Sequence, residues 1–188
     1  MSAVFTATRH KLTVEAYHDL GAAGHLTEDD RIELIEGELI EMPPIGGPHL
    51  RGVNRLNAFF VRSIGDRGIV SVQNPVILGR HSEPQPDLVI LAPHMNARDA
   101  GVPTANDVLL VVEVSDSTVH YDRGTKLPLY ARYGIADAWL VNLRSSRIEV
   151  YRTPAEGGYA PMREIGTGES IAMLALPDVT LAWETVFA

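Results

Sequence analysis

Two nearly continuous apolar runs near the middle of the 188-residue chain constrain its fold more than any other feature. Residues 87–91 read Asp-Leu-Val-Ile-Leu, and residues 108–114 read Val-Leu-Leu-Val-Val-Glu-Val. Short runs of β-branched and apolar residues are typical of strands that are buried on both faces of a sheet. A sheet covered on both faces needs helices on either side. The pattern therefore predicts an α/β fold with a central mixed sheet.

Two helices are expected to cover this sheet. Apolar residues between positions 50 and 64 recur at three- and four-residue steps, which indicates an amphipathic helix. A second helix is expected to begin near Thr125, because Pro128 is tolerated only in a first helical turn. Thr13 is placed to cap a further, short helix near the N-terminus.

The remaining strands are shorter. Residues 32–42 place apolar side chains on either side of Glu36-Gly37, which predicts an N-terminal hairpin with a glycine turn. Other apolar or β-branched segments predict strands at residues 69–72, 76–78, 138–141, 147–151, 159–164 and 169–172. The expected fold is a central mixed β-sheet flanked by helices, with an N-terminal hairpin and extra C-terminal strands.

The composition excludes several classes of protein. The chain has no cysteine, so a disulfide scaffold, a thiolate zinc site and a cysteine nucleophile are excluded. No apolar run approaches the ~18 residues that span a bilayer, and the N-terminus lacks the charged head and apolar block of a signal peptide. We expect a single domain over residues 1–188, a cytoplasmic location and no membrane partner.

The net charge bears on possible partners. Sixteen basic and 24 acidic residues give a charge of −8. A protein that coats nucleic acid without specificity is expected to be basic, so this charge argues against that role. A small acidic substrate or a metal ion remains compatible with it.

Two carboxylates stand beside the apolar runs. Asp87 opens the first predicted strand, directly after Pro86, and Glu113 lies near the end of the second. A carboxylate next to an apolar run is costly to bury unless it is paired or bound to metal. If the strands are neighbours, the two side chains form an oxygen-rich pocket suited to Mg²⁺ or Mn²⁺. The alternative is that each carboxylate caps a strand or pairs with an arginine.

Other candidate residues carry weaker signals. Lys126 is one of only two lysines, against 14 arginines, and the helix it starts follows the Glu113 strand directly. It either reaches back over the strand end or is a solvated lysine. Glu33, in the hairpin, is either a ligand or a surface charge. His49 begins the amphipathic helix, where it either binds a phosphate or serves a structural role.

Six motifs in a fixed order give the chain a family resemblance. They are E-L-I-E-G-E (33–38), P-P-x-x-x-x-H (43–49), P-D-L-V-I-L (86–91), V-V-E-V-S-D-S-T (111–118), Y-D-R-G-T-K (121–126) and Y-G-I-A-D-A-W-L-V (133–141). With these motifs the chain resembles the Uma2 family, also called DUF820, from about residue 12 to 185. That family belongs to the PD-(D/E)XK superfamily of nucleases, which implies a restriction-endonuclease-like fold.

The resemblance also implies roles. Asp87 and Glu113 would bind Mg²⁺ (or Mn²⁺) with the backbone carbonyl of Val114, and Lys126 would orient or activate the attacking water. Glu33 would complete the pocket or hold Lys126. The superfamily pattern E-x-K places lysine two residues after the glutamate, where this chain has Ser115. The lysine of Uma2-like sequences is instead on the next helix, at Lys126.

The function implied is metal-dependent hydrolysis of DNA by an endonuclease, which would act as a homodimer because two strand cuts are easiest with two sites. DNA contacts are expected from His49 and from arginines on the amphipathic helix and beside Lys126, at Arg51, Arg55, Arg62 and Arg123. Cations in the carboxylate pocket would offset part of the negative charge, so DNA binding would be salt-sensitive and metal-dependent. Two alternatives remain: a non-catalytic interaction domain of a mobile element or defence system, and a hydrolase of small phosphate compounds.

Overall fold

The computed structural model describes residues 9–27, 29–160 and 162–188. Its first elements are helix α1 (Val14–Ala22), strands β1 (Ile32–Ile35) and β2 (Glu38–Glu41), and helix α2 (Gly47–Ile64). The predicted N-terminal hairpin is confirmed, because β1 and β2 pair with each other and with no other strand. The predicted helix cap is confirmed as well, since the Ala16 amide donates to Thr13 Oγ1 at 3.2 Å.

The hairpin turn explains why glycine follows Glu36. Glu36 and Gly37 both have positive φ, at 51° and 84°, which is the backbone geometry of a tight two-residue turn. A Cβ on Gly37 would lie 2.5 Å from the Lys11 Cβ. The turn therefore needs glycine for its backbone and for the space beside residue 11.

The central sheet is built from β3 (Ile69–Val72), β4 (Leu88–Leu91), β5 (Val108–Ser115), β6 (Asp137–Asn142), β7 (Arg147–Arg152) and β10 (Arg163–Ile165). The two-residue strands β8 (Pro154–Ala155) and β9 (Gly158–Tyr159) lie between β7 and β10 in the chain and pair with each other. The order across the central sheet is β10-β7-β6-β5-β4-β3. In this sheet, as far as the structure describes it, β5 and β6 are parallel and the other neighbouring strands are antiparallel. The predicted central mixed sheet is confirmed.

The apolar runs are buried on both faces, as their composition predicts. Along β5, Leu110, Val112 and Val114 pack with α2, whereas Val111 faces the opposite layer. Alternate residues of a strand point to opposite faces, so Glu113 shares the second face with Val111. The central strand thus delivers a carboxylate into the layer on the far side of the sheet from α2.

A helical crossover joins the parallel strands β5 and β6 and covers that second face. It consists of α3 (Val119–Tyr121), a π-helical segment (Asp122–Lys126) and α4 (Leu127–Arg132), without interruption. The expected start near Thr125 is wrong, because the helix begins earlier. In a regular α-helix the Pro128 ring would clash with the carbonyl four residues before it, and the wider π turn just before Pro128 accommodates the ring.

Two other predicted strands differ in the structure. Residues 76–78 form no named strand, because the Val76 and Leu78 amides donate to the carbonyls of Pro84 and Ser82, and Pro84 has no amide to continue a ladder. The strand predicted over 159–164 is instead split between β9 and β10, and residue 161 lies outside the described residues.

The C-terminal part adds β11 (Ser170–Ala172), β12 (Thr180–Ala182) and helix α5 (Glu184–Phe187). β11 and β12 pair with each other, which confirms the extra C-terminal strands. Ile171, Leu181 and Val186 pack into the same core layer as α2. In the described ranges, no helix has the length and apolar character that a membrane crossing requires.

Candidate active site

Four side chains from four separate elements meet at one side of the sheet. Glu33 comes from β1, Asp87 from the residue before β4, Glu113 from β5, and Lys126 from the π-helical segment. Glu33, Glu113 and Lys126 are each only 2% exposed, and the Asp87 side chain is 14% exposed. The structure thus brings together the four residues that the sequence nominates for catalysis.

Lys126 lies at the centre of this cluster. Its Nζ is 2.9 Å from Glu33 Oε1 and 3.2 Å from Glu113 Oε1. The Gln85 amide also donates to Glu33 Oε1, at 3.1 Å. The contacts fix Lys126 against the strand end rather than in solvent.

The surroundings of Lys126 determine its charge. Burial alone lowers the pKa of a lysine, but the charges of Glu113 and Glu33 outweigh that effect here and raise the Lys126 pKa above its usual range. Lys126 therefore remains an ammonium ion at neutral pH. It can donate hydrogen bonds and stabilise negative charge, but it cannot accept a proton.

The ionised form of Glu113 is disfavoured, because several negative charges surround it. Burial, together with the nearby Asp122, Asp87 and Glu33, raises the pKa of the Glu113 carboxyl to about 8, although Lys126 acts in the other direction. The Tyr130 hydroxyl donates to Glu113 Oε1 at 2.5 Å. One ammonium is therefore shared among several carboxylates, which leaves the cluster with room for further positive charge.

Asp87 is held at the edge of the cluster by groups from both sides of the sheet. His49 Nε2 lies 2.9 Å from Asp87 Oδ1, and the Val114 amide donates to Oδ2 at 2.9 Å. Burial raises the Asp87 pKa, but the hydrogen bond and charge of His49, with Lys126 and the Val114 amide, lower it overall. Asp87 is thus a carboxylate with the Val114 backbone beside it.

The donor set fits a hard divalent cation. Asp87 and Glu113 are adjacent, since the Asp87 amide points at Glu113 Oε2 at 3.4 Å, and their oxygens are the ligand type that Mg²⁺ prefers. Glu33 Oε2 is buried and has no hydrogen-bond partner among the residues that the structure describes. Across the described ranges, no three His, Asp or Glu side chains form a metal-binding group. Mg²⁺ suits such a place, because it is commonly held by one or two carboxylates and several waters.

A hydrogen-bonded triad anchors the π-helical segment to the end of β5. Ser115 Oγ and Thr118 Oγ1 both donate to Asp122 Oδ2 at 2.6 Å. Ser115 occupies the position where the superfamily pattern has its lysine. Ser115 therefore contributes to the site indirectly, because its hydrogen bond fixes the position of the segment that ends at Lys126.

A cavity of about 960 Å³ opens onto the cluster. One wall is apolar, with Leu26, Met42, Pro43, Pro44 and Ile45. Acidic side chains outnumber basic ones in its lining, with Asp29, Asp30, Glu33, Asp87, Glu113, Asp116 and Asp122 against Arg31 and Lys126. The volume and mixed lining are those of a small-molecule or single-residue binding site.

The arginines nominated for DNA contact lie elsewhere. Arg123 makes a two-point contact with Glu149, with Nε 3.1 Å from Oε2 and Nη2 2.5 Å from Oε1. Arg55 Nη1 donates to the Val186 carbonyl at 2.8 Å, and Arg51 is exposed on α2. Within the described part of the chain, none of these three arginines lines the cavity, and neither does Arg62. Their contact with DNA stays a prediction.

Sequence reasoning missed two members of the cluster. Tyr130 and Asp122 each lie four positions from Lys126, on either side of it, so all three fall on one helical face. A search for polar residues at that spacing from Lys126 would have found both. The contact of His49 with Asp87 carried no sequence signal, because it depends on how α2 packs across the sheet.

Two comparisons relate the chain to known proteins. The family model Uma2, described as "Putative restriction endonuclease", matches residues 14–184. A crystal structure described as that of a "putative nuclease belonging to DUF820" from Anabaena variabilis ATCC 29413 aligns with a TM-score of 0.69 and 17% sequence identity, covering 94% of this chain and 97% of that one.

The structural match confirms the nuclease-like fold. No curated protein matches the chain. The family model spans most of the sequence and contains all six motifs, so the resemblance drawn from those motifs is confirmed. The chain therefore belongs to the Uma2 family.

Proposed function

We propose that this protein is a metal-dependent endonuclease that hydrolyses DNA phosphodiester bonds with Mg²⁺ or Mn²⁺. The observation that carries the proposal is the shared ammonium: Lys126 contacts Glu33 and Glu113 beside Asp87, at the cavity wall. Buried, mutually perturbed ionisable groups in a cleft are typical of catalytic sites. Membership of a family described as "Putative restriction endonuclease" supports this reaction class.

Asp87, Glu113 and the Val114 carbonyl are the groups proposed to hold the cation. A bound divalent cation supplies Lewis-acid stabilisation of the phosphate and lowers the pKa of water. Val114 is a suitable third contributor because its backbone already touches Asp87. Within this set, His49 orients Asp87 by its hydrogen bond.

Lys126 is proposed to act on the phosphate and the water through hydrogen bonds. Because Lys126 stays protonated, it stabilises the negative charge that develops on the phosphoryl oxygens and orients the attacking water. The proton that the attacking water loses is therefore taken up by a group other than Lys126. Glu33 holds the ammonium in position through its 2.9 Å contact. Tyr130 holds the Glu113 carboxylate in the same way.

The DNA itself is proposed to lie along the positive groups outside the cavity. Arg51 and Arg55 on the exposed side of α2, with Arg123, are candidates for phosphate contact, and His49 for contact nearer the cluster. Because these contacts pair basic groups with phosphates and release counterions, affinity should fall as salt rises. We propose a homodimer as the form that cuts both strands, which sedimentation at working concentration tests.

A plasmid-nicking assay with Mg²⁺ or Mn²⁺ tests the proposed activity. Lys126→Met and Asp87→Asn should each abolish nicking. Lys11→Met is the matched control, because Lys11 is the chain's other lysine and is exposed. Asp99→Asn, an exposed aspartate, controls for Asp87. Nicking that survives both site substitutions would reject the proposed site.

A hydrolase of small phosphate compounds is the second candidate, and the acidic lining of the cavity favours it. A duplex polyanion meets more repulsion from that lining than a nucleotide does. Turnover of nucleotides without turnover of duplex or single-stranded DNA would select this candidate. Calorimetry that detects no Mg²⁺ or Mn²⁺ binding would instead indicate a non-catalytic interaction domain.

A further inference from the structure

A second pair of ionisable side chains lies beside the cavity, away from the carboxylate–lysine cluster. His18, on α1, lines the cavity, and its Nε2 is 2.7 Å from Glu83 Oε2. The Glu83 side chain is 6% exposed, whereas that of His18 is 48% exposed. A buried carboxylate behind an accessible imidazole fixes the ring and leaves its other nitrogen free to act.

The backbone holds this pair in a fixed relation to Lys126. The Glu83 amide donates to the Leu34 carbonyl at 2.7 Å, and two residues later the Gln85 amide donates to Glu33 Oε1 at 3.1 Å. Glu33 is the residue that pairs with Lys126. The segment that carries Glu83 is therefore tied, through β1, to the side chain that holds the ammonium.

Helix α1 is hydrogen-bonded both to β1 and to the segment just before Glu83. The Tyr17 hydroxyl donates to the Ile32 carbonyl at 2.8 Å, and the Val14 amide donates to the Arg80 carbonyl at 2.8 Å. His18 follows Tyr17 on this helix. The imidazole and the carboxylate–lysine cluster thus belong to one connected framework, with the cavity between them.

Hydrolysis of a phosphodiester needs a proton for the oxygen that leaves. In the cluster, the charges of Glu113 and Glu33 outweigh burial and raise the Lys126 pKa, which makes the ammonium a poor proton donor, and the Tyr130 hydroxyl is committed to Glu113. His18 Nδ1 has no hydrogen-bond partner in the described part of the chain. His49 also lines the cavity and its Nδ1 has no partner among the described residues, but that nitrogen is buried. His18 is therefore the cavity-lining histidine whose uncommitted nitrogen belongs to an accessible ring, and Glu83 holds that ring by its other nitrogen.

We propose that His18, oriented by Glu83, is the general acid that protonates the leaving oxygen in the reaction. This inference rests on the proposed endonuclease function. The oxygen of the attacking water forms the new bond to phosphorus while one proton of that water passes to solvent, and the bond from phosphorus to the leaving oxygen breaks with its electron pair on that oxygen. The proton on Nδ1 of the imidazolium moves to the leaving oxygen. The neutral imidazole keeps its Nε2 proton toward Glu83 and regains the Nδ1 proton from water.

The test uses a leaving group that needs no acid. Two duplex oligonucleotides with one cleavable position are compared, one natural and one with sulfur in place of the leaving bridging oxygen, which is identified from the product ends. A thiolate leaves without protonation. His18→Gln should lower kcat about 100-fold on the natural substrate and less than about 3-fold on the sulfur substrate. Glu83→Gln should show the same selectivity with a smaller loss, of about 10-fold.

Controls separate this role from a structural one. His25→Gln changes an exposed histidine outside the cavity and should leave both rates unchanged. Thermal unfolding shows whether each variant is folded. Equal losses on both substrates in folded His18→Gln would overturn the general-acid role while leaving the endonuclease proposal intact. A wild type that cleaves neither substrate would overturn both.

Discussion

The ammonium of Lys126 and the carboxylate of Glu33 are separated by 93 positions in the chain, yet they meet at 2.9 Å in the protein interior. Glu33 belongs to a hairpin outside the central sheet, and Lys126 belongs to the helical crossover. The ion pair therefore joins two structural units that the sheet alone does not connect. Each charge needs the other for compensation, because both side chains are buried and water solvates neither of them.

Removing only the positive partner should be costly. Lys126→Met leaves Glu33 buried without its cation, so we expect a loss of about 3–5 kcal/mol in the free energy of unfolding. Glu33→Gln added to Lys126→Met should recover part of that loss, because it removes the uncompensated buried charge. Urea denaturation at pH 7 of the two single variants and the double variant gives the coupling between the sites. Additive losses in that cycle would contradict the buried ion pair.

Tyr130 is expected to matter for stability through one hydrogen bond. Tyr130→Phe removes the hydroxyl that donates to Glu113 Oε1 but keeps the packed ring. A buried acceptor that loses its donor costs about 1–3 kcal/mol, so we expect a loss in that range. Chemical denaturation measures it, and Tyr133→Phe, which changes an exposed tyrosine after α4, is the matched control. A loss no larger than that of the control would show that the Tyr130 hydroxyl does not contribute to stability.

The Ser115–Asp122 contact should support both stability and activity. Ser115→Ala removes a fully buried donor from a buried carboxylate, which we expect to cost about 1–3 kcal/mol. In the nicking assay kcat should fall, because the π-helical segment that carries Lys126 loses an anchor. Ser117→Ala, at an exposed serine two positions away, should leave stability unchanged. Full nicking activity in folded Ser115→Ala would contradict the positioning role.

Glu149 should make stability depend on acid pH. Burial raises its pKa, but hydrogen bonds from Arg123, Tyr151 and Asn142 outweigh that and lower the pKa below its usual range. A lowered folded-state pKa stabilises the protein above the unfolded-state value of about 4.3, and the contribution is lost as pH falls through the folded-state pKa.

The difference in stability between wild type and Glu149→Gln should therefore be largest at neutral pH. It should shrink as pH falls from about 5 to about 3. Denaturation curves of both proteins across that interval measure it. A difference that stays constant would mean that the Glu149 carboxylate is not stabilised in the folded protein.

The hairpin turn gives a prediction about backbone strain. Gly37→Ala places a Cβ at φ 84° and 2.5 Å from the Lys11 Cβ, so we expect a loss of at least about 1 kcal/mol. Gly21→Ala is the contrasting variant, because Gly21 is helical and nothing lies within 4 Å of the added atom. It should be neutral or stabilising by roughly 0.5–1 kcal/mol. Thermal unfolding of both variants shows the difference, and equal effects would argue against the strained turn.

The sequence predicts the strands well where burial dictates the residue type. The runs at 87–91 and 108–114 are apolar because both faces are covered, and they correspond to β4 and β5. Residues 76–78 have a similar composition for another reason: Val76 and Leu78 are buried in a loop. A short apolar segment indicates that its residues are buried, but it does not indicate which other segment its backbone pairs with.

In the candidate site as well, some residues are predictable from the sequence and others are not. Asp87 and Glu113 are predictable as neighbours, because each opens or ends a buried strand, and the family motifs add Glu33 and Lys126. The contact of Glu83 with His18 is not predictable, since it depends on how α1 packs on the strand that precedes the sheet. The π turn is also hidden, because Pro128 indicates an interruption of the helix without indicating its form.

The π-helical segment Asp122–Lys126 makes the site sensitive to chain length. A π turn holds one residue more than an α turn, and each residue turns an α-helix by about 100°. Deleting a single residue there would rotate Lys126 relative to Asp122 while α4 and the sheet keep their packing. Two proteins with this fold and the same residue types could then differ in catalysis through one missing position. For this architecture, the spacing between the glutamate of β5 and the lysine is as informative as their identities.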